Sequence, residues 1–156
     1  MLLNFLSSLR PMFRDSEICL ALSPEDVRDS ELGIRDGYTF DIFLNRPRRR
    51  IGYVSLRIGE SPALYYLGHI GYRIDAPYRG HGYAAKACAL IVSFMRELQL
   101  KSVCITANPE NTPSRKTCER IGCTLESIAA VPAAYRTICA GAEYKCRYIL
   151  SLTEEA

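Results

Sequence analysis

The chain is poor in the residues that build metal sites. Only two histidines, His69 and His81, stand in its 156 residues, and none of its cysteines forms a C-x-x-C pair. No metal centre is expected from so sparse a set. No apolar run approaches the roughly 18 residues of a membrane span, so no membrane partner is expected. Low-complexity linkers and internal repeats are absent. The start, Met1 to Pro11, is apolar but broken by Asn4, Ser7 and Ser8, and it lacks a basic leader. It reads as an amphipathic turn or helix rather than a signal peptide. Lysine is scarce, four against sixteen arginines, and the net charge is a modest +3. With no RNA-binding aromatic signature and no zinc knuckle, no nucleic-acid partner is expected.

What remains is an ordinary globular composition, 48% hydrophobic and 24% charged. A chain of this length buries roughly 70% of its unfolded surface, enough for one domain over residues 1–156 without disulfide staples. The seven cysteines are an odd count and lie mostly in apolar periodic stretches. They behave there as small hydrophobes, which together with the missing leader predicts a reducing, cytoplasmic location.

Apolar alternation predicts strands at Ile18–Leu22, Tyr38–Leu44, Ile51–Ile58 and Leu64–Ile74, with one helical turn accommodated between Glu25 and Gly37. Gly68 and Gly71 suggest a bulge or a close backbone approach. Arg46-Pro47-Arg48-Arg49-Arg50 falls between two strands and reads as a solvated hairpin loop, with polyanion binding as the alternative. An i, i+3, i+4 stripe (Ala84, Ala87, Cys88, Ile91, Phe94, Met95, Leu98) predicts an amphipathic helix. A short strand follows at Val103–Ala107. A second helix runs from about Pro113 to Ile121, with Asn111 or Thr112 as its cap and Gly122 just past its end. Strands at about Thr124–Ala129 and Tyr144–Leu152 close the chain. The order ββββαβαββ implies an α+β fold, a mixed and mostly antiparallel sheet flanked by helices.

The strand–loop–helix junction from Ile70 to Ala85 carries the chemical signal. Arg79-Gly80-His81-Gly82-Tyr83-Ala84 opens into a helix, whose first N–H groups point outward unpaired and attract anions. Gly80 and Gly82 let a phosphate approach the main chain, and Arg79 supplies a fork suited to it. After the next strand, Asn108-Pro109-Glu110-Asn111-Thr112-Pro113-Ser114 places short polar side chains where they could face an amide-bearing chain. Together these features describe a pantetheine–pyrophosphate site.

The run GHIGYRIDAPYRGHGYAAKA followed by NPENTPSRKTCERIGC resembles the GNAT superfamily of acyl-CoA N-acyltransferases. It is nearest the branch of ribosomal-protein N-terminal acetyltransferases, and the likeness covers about residues 51 to 129. The resemblance implies a sheet splayed between the fourth and fifth strands, with acetyl-CoA in the cleft. It implies that Tyr72, Arg73 and Ile74 offer strand backbone to pantetheine and that Arg79, Gly80, His81, Gly82, Tyr83 and Ala84 hold the pyrophosphate. Asn108, Asn111 and Ser114 would line the pantetheine arm. Two departures stand out. About fifteen residues separate Leu22 from Tyr38, too few for the two helices usual in the family. The acceptor side should therefore be more open, or completed by a second copy in a homodimer. The tyrosine often used to protonate the leaving thiolate falls at Cys118.

The expected activity is acetyl transfer from acetyl-CoA to a primary amine, small molecule or peptide, by direct attack in a ternary complex. A non-catalytic CoA-binding regulatory module is the alternative. A backbone N–H near a Gly71–Tyr72 bulge is the expected oxyanion donor. His69 is the expected base, with Glu143 and Tyr66 as fallbacks, because its reference pKa lies near 6.5. Cys118, inside a helix and far from either histidine in sequence, reads as a packing or lining residue rather than a nucleophile. Eight acidic residues between positions 15 and 41, against Arg28 and Arg35, would favour a cationic amine if they border the acceptor mouth.

Overall fold

A computed structural model describes residues 13–153, so the expected turn or helix at Met1–Pro11 lies outside the described residues. The strands are β1 (Phe13–Arg14), β2 (Ile18–Leu22), β3 (Asp36–Asn45), β4 (Arg48–Ile58), β5 (Ile70–Ile74), β6 (Ser102–Ala107), β7 (Thr124–Ala130) and β8 (Tyr144–Ser151). The α-helices are α1 (Pro62–Leu67), α2 (Tyr83–Leu90), α3 (Val92–Glu97) and α4 (Thr112–Arg120). One sheet holds all eight strands in the order β1-β2-β3-β4-β5-β6-β8-β7. Every pairing is antiparallel except β5 with β6. The mixed, mostly antiparallel α+β sheet read from the sequence is the architecture found.

Period-2 alternation sends one set of side chains to each face. Leu20, Phe40, Ile42, Val54, Leu56, Ile70, Ile105 and Tyr148 point to the first face and form one core with Ala87, Cys88 and Ile91 of the α2 region and Cys118 of α4. A register shift beside Ile42 leaves Ile51 as the extra residue of a bulge, which turns it into the same core. Thr39, Ser55, Arg57, Thr106 and Arg147 point to the second face. There the Thr39 and Ser55 hydroxyls bond each other at 2.7 Å.

The structure corrects four expectations. Leu64–Ile74 is not one strand: Ser61 caps α1 by accepting from the Leu64 N–H at 3.0 Å, Pro62 starts it, and Gly68 (φ 83) ends it. A cap followed by Pro at the first helical position overrides the strand preference of Leu64-Tyr65-Tyr66-Leu67. No helical turn forms between Glu25 and Gly37, where Asp29 and Ile34 instead form an isolated bridge. The stripe from Ala84 to Leu98 is two helices, interrupted at Ile91. Arg48, Arg49 and Arg50 belong to β4, not to a loop. Arg50 pairs with Asp41 at 2.9 Å, Arg49 donates to the Tyr78 hydroxyl at 3.2 Å, and Arg48 lies over the Phe43 ring.

Candidate active site

β5 and β6 meet at a single position, Ile70 opposite Ile105, and then part. Below that point they are tied: the His69 N–H donates to Cys104 O at 2.7 Å. Above it they diverge toward the starts of α2 and α4. The Arg57 N–H donates to His69 O and the Asp75 N–H to Ile51 O, both at 2.7 Å. Odd-numbered residues of β5 therefore turn their main-chain groups toward β4. Tyr72 and Ile74 turn theirs into the gap, where Ile74 O accepts from Arg79 Nε at 2.7 Å. Arg73 turns its backbone away from the gap, unlike its neighbours. The pairing of β4 with β5 is regular from Gly52–Ile74 to Leu56–Ile70, so the expected bulge at Gly71–Tyr72 is not formed. The splay itself is what frees the Tyr72 N–H.

Asn108 follows β6 on the opposite wall of the gap. Its Oδ1 is buried and has no hydrogen-bond partner. A buried acceptor without a donor costs free energy until something fills its lone pairs. Asn111 caps α4, its Oδ1 accepting from the Ser114 N–H at 3.2 Å. Ser114 Oγ in turn lies 2.7 Å from the Tyr72 hydroxyl. Burial pushes the Tyr72 phenol well above its ordinary range, and the buried thiols of Cys118 and Cys88 beside it act in the same direction. The ring therefore stays protonated and bridges β5 to α4.

At the mouth of the gap, α2 begins without a side-chain cap. Gly82 holds its N-cap position at φ 76, and Gly80 stands in open space at φ 87. His81 is exposed, with its ring 5.4 Å from that of Tyr83. The sequence did not reveal Arg120, from the last turn of α4: a Cβ on Gly82 would lie 3.1 Å from its Nη1. Arg79 and Arg120 thus flank the uncapped helix start from two elements. The only signal for Arg120 was a basic residue two positions before Gly122, which by itself suggests a helix end.

His69 sits at the closed end of the splay with both ring nitrogens engaged. Nδ1 accepts from the Cys104 N–H at 2.9 Å, so Nε2 carries the proton and faces Gly59 O at 3.2 Å, with Glu60 Oε1 at 3.4 Å. The lone pair that a base would use is spent on the β5–β6 junction. Of the fallbacks, Glu143 is exposed, and the Tyr66 ring stacks on that of Tyr135 with centroids 5.7 Å apart. Cys118 is wholly buried, and its thiol is raised by contact with Cys123 and by burial. The hydrogen bonds of Cys123 N–H to Cys118 O (3.0 Å) and Gly122 N–H to Glu119 O (3.1 Å) close α4 in a Schellman motif. This is a packing role.

A sheet parted at one parallel pair, with a bare helix N-terminus at its mouth, defines an acyl-CoA-dependent transferase fold. Residues 19–124 match the model of the Acetyltransferase (GNAT) domain family. The chain belongs to that family and is an acetyltransferase. A solved GNAT acetyltransferase from Bacillus anthracis is similar over 74% of this chain and 67% of its own, at 21% identity and TM-score 0.59. A ribosomal-protein-S5-alanine acetyltransferase from Vibrio fischeri is similar over 76% of this chain and 63% of its own, at 22% identity and TM-score 0.60. An acetyltransferase from Agrobacterium tumefaciens matches 90% of this chain and 94% of its own, at 19% identity and TM-score 0.60. No curated protein sequence is a significant match.

The residues present fit acetyl-CoA. The orphaned Asn108 Oδ1 and the open edge of β5 suit the pantetheine amides. Gly80, Gly82, Arg79 and Arg120 suit phosphates. Among the described residues no group of His, Cys, Asp and Glu side chains could hold a metal ion, and no helix is long and apolar enough to cross a membrane.

Proposed function

We propose that this acetyltransferase moves the acetyl group from acetyl-CoA to a primary amine by direct attack in a ternary complex. The observation that supports this most is the gap walled by the Tyr72 main chain and by Asn108 Oδ1, which lacks a partner. Acetyl-CoA supplies a thioester, whose carbon bonds to the amine nitrogen as the C–S bond breaks and the sulfur leaves with a proton. Tyr72 offers its N–H to the developing oxyanion. Its hydroxyl, kept protonated by burial, offers a donor on the first face of the cleft. That face is closed by α2 and α4. The acceptor then approaches from the second face, where Gly71 carries no side chain.

His69, in this reading, positions rather than titrates: its ring locks the end of the splay through Cys104. The amine's proton leaves to water. Residues 1–156 act as a single domain. The seven unpaired cysteines support a reducing, cytoplasmic setting. A second copy would pair along β7, an edge strand of the sheet, which exposes Leu125 at 40% and Ile128 at 52%.

Calorimetric titration with acetyl-CoA, followed by an acetylation assay over a panel of amines, tests the reading. Tight binding with turnover of at least one amine supports it. Tight binding without turnover of any amine would favour a regulatory module, and absence of binding would overturn the reading altogether.

A further inference from the structure

Arg57 and Arg35 are cations close to the closed end of the splay with no carboxylate partner among the described residues, and Arg57 is the more buried of the two. It projects from β4 to the second face. Nη1 donates to Gly68 O at 3.0 Å, and a Cβ on Gly71 would lie 2.6 Å from Nη2. The rest of its five donors have no protein partner among the described residues. Burial lowers its pKa, as expected of a guanidinium that has lost water without gaining an anion. It lines a recess of about 90 Å³ together with Arg35, His69, Ser102 and Glu60. That volume suits a carboxylate group and excludes a nucleotide. Glu60 reaches the His69 ring, but its side chain is 91% exposed.

Five of the eight acidic residues between positions 15 and 41 are engaged elsewhere. Asp26 pairs with Arg28, Asp41 pairs with Arg50, and Asp15 and Glu17 face Lys86. Asp29 caps its own turn through the Glu31 and Leu32 N–H groups. The charged group against Gly71 is the Arg57 guanidinium.

We propose that the recess formed by Arg35, Arg57, His69 and Ser102 binds a carboxylate of the acetyl acceptor. The substrate is then an amine that carries a carboxylate a few bonds from its nitrogen, as in an amino acid or an acidic peptide N-terminus. The assignment rests on the N-acetyltransferase reading and names its substrate class. Arg57 joins the two functions, because its guanidinium touches Gly71 on one side and the recess on the other.

The test compares alanine with alaninamide, and the tripeptide Glu-Ala-Ala with Gln-Ala-Ala, as acceptors for the wild-type chain. The acid of each pair should show about 10-fold higher kcat/KM, and whichever pair gives turnover separates a free amino acid from a peptide. Arg57→Gln should erase that preference while leaving acetyl-CoA affinity within about 2-fold. Arg35→Glu, at the exposed mouth, should weaken the acid alone and guards against misfolding of the first variant. Equal kcat/KM for acid and amide, or a preference that survives both substitutions, would overturn the proposal. Titrating alanine against alaninamide into the protein without acetyl-CoA reads the recess directly. Loss of acetyl-CoA binding alone would count against the transferase reading, whereas equal binding of alanine and alaninamide would count against the recess.

Discussion

The Tyr72 hydroxyl lies 2.7 Å from Ser114 Oγ, a bond that spans from the splayed strand β5 to the first turn of α4. It joins the two walls of the cleft. Cys118 of α4 is buried, and Tyr72 brings a phenol to the same helix from the opposite wall. Tyr72→Phe should cost about 1 kcal/mol of stability and lower kcat about 10-fold with little change in acetyl-CoA affinity. Ser114→Ala should reproduce the stability loss but only part of the rate loss. Equal kcat for Tyr72→Phe and wild type would assign the hydroxyl a purely structural role.

Asn108 should show opposite signs in two measurements. Its buried Oδ1 lacks a donor in the free protein, so Asn108→Ala should leave unliganded stability unchanged or slightly raised. Acetyl-CoA affinity should fall about 5- to 10-fold, the worth of one hydrogen bond to a buried group. Thermal melts with and without ligand read both effects. A variant that is destabilised but binds normally would make Asn108 a structural residue.

Arg120 lies against Gly82 although 38 residues separate them in the chain. Arg120→Glu should weaken acetyl-CoA binding by about 10-fold or more at low salt. The deficit should shrink as ionic strength rises, because the lost attraction is electrostatic. Gly82→Val should also impair binding, through both the left-handed φ and the displaced guanidinium. Salt-independent loss on Arg120→Glu would contradict a phosphate contact.

Gly71 and Arg57 form a coupled pair. Gly71→Ala should destabilise the fold by about 1–3 kcal/mol, since its Cβ would drive into the guanidinium. In the Arg57→Ser background the same substitution should be nearly neutral. Denaturant titration of the four members of this cycle measures the coupling. Additive effects would show that the guanidinium has other room to occupy.

Alkaline pH should destabilise the protein. Burial pushes the Cys88 thiol up to about 12 and the Cys104 thiol up to about 11, from an ordinary value near 9. The folded state holds these protons after the unfolded chain has released them. Their contribution is whole below pH 9 and is lost as pH rises through 11 and 12. Each pH unit over which a thiol keeps its proton only in the fold removes about 1.4 kcal/mol, so chemical denaturation should show a decline of a few kcal/mol. Cys88→Ala should flatten the upper part of the curve. A stability constant from about pH 8 to about pH 11 would show that the thiols ionise freely in the fold.

The chain's local signals were legible wherever a few neighbouring residues decide the outcome. Asn111-Thr112-Pro113 and Gly122 bracket α4 because capping and left-handed termination act within one turn. The Arg79 to Ala84 loop could be read as an anion site for the same reason. Ser61-Pro62 carried an equally good helix start, but the aromatic run behind it outweighed that signal across Leu64–Ile74. The sequence by itself therefore determined the sheet-and-helix class, most element boundaries and the glycine-flanked start of α2. Only the tertiary structure decided that the His69 lone pair would be spent on Cys104, that Arg120 would reach Gly82, and that Arg57 would lie over Gly71 without a counter-charge. Each of those depends on strands and helices distant in sequence arriving at one point, and side-chain chemistry is set by such neighbours rather than by order along the chain.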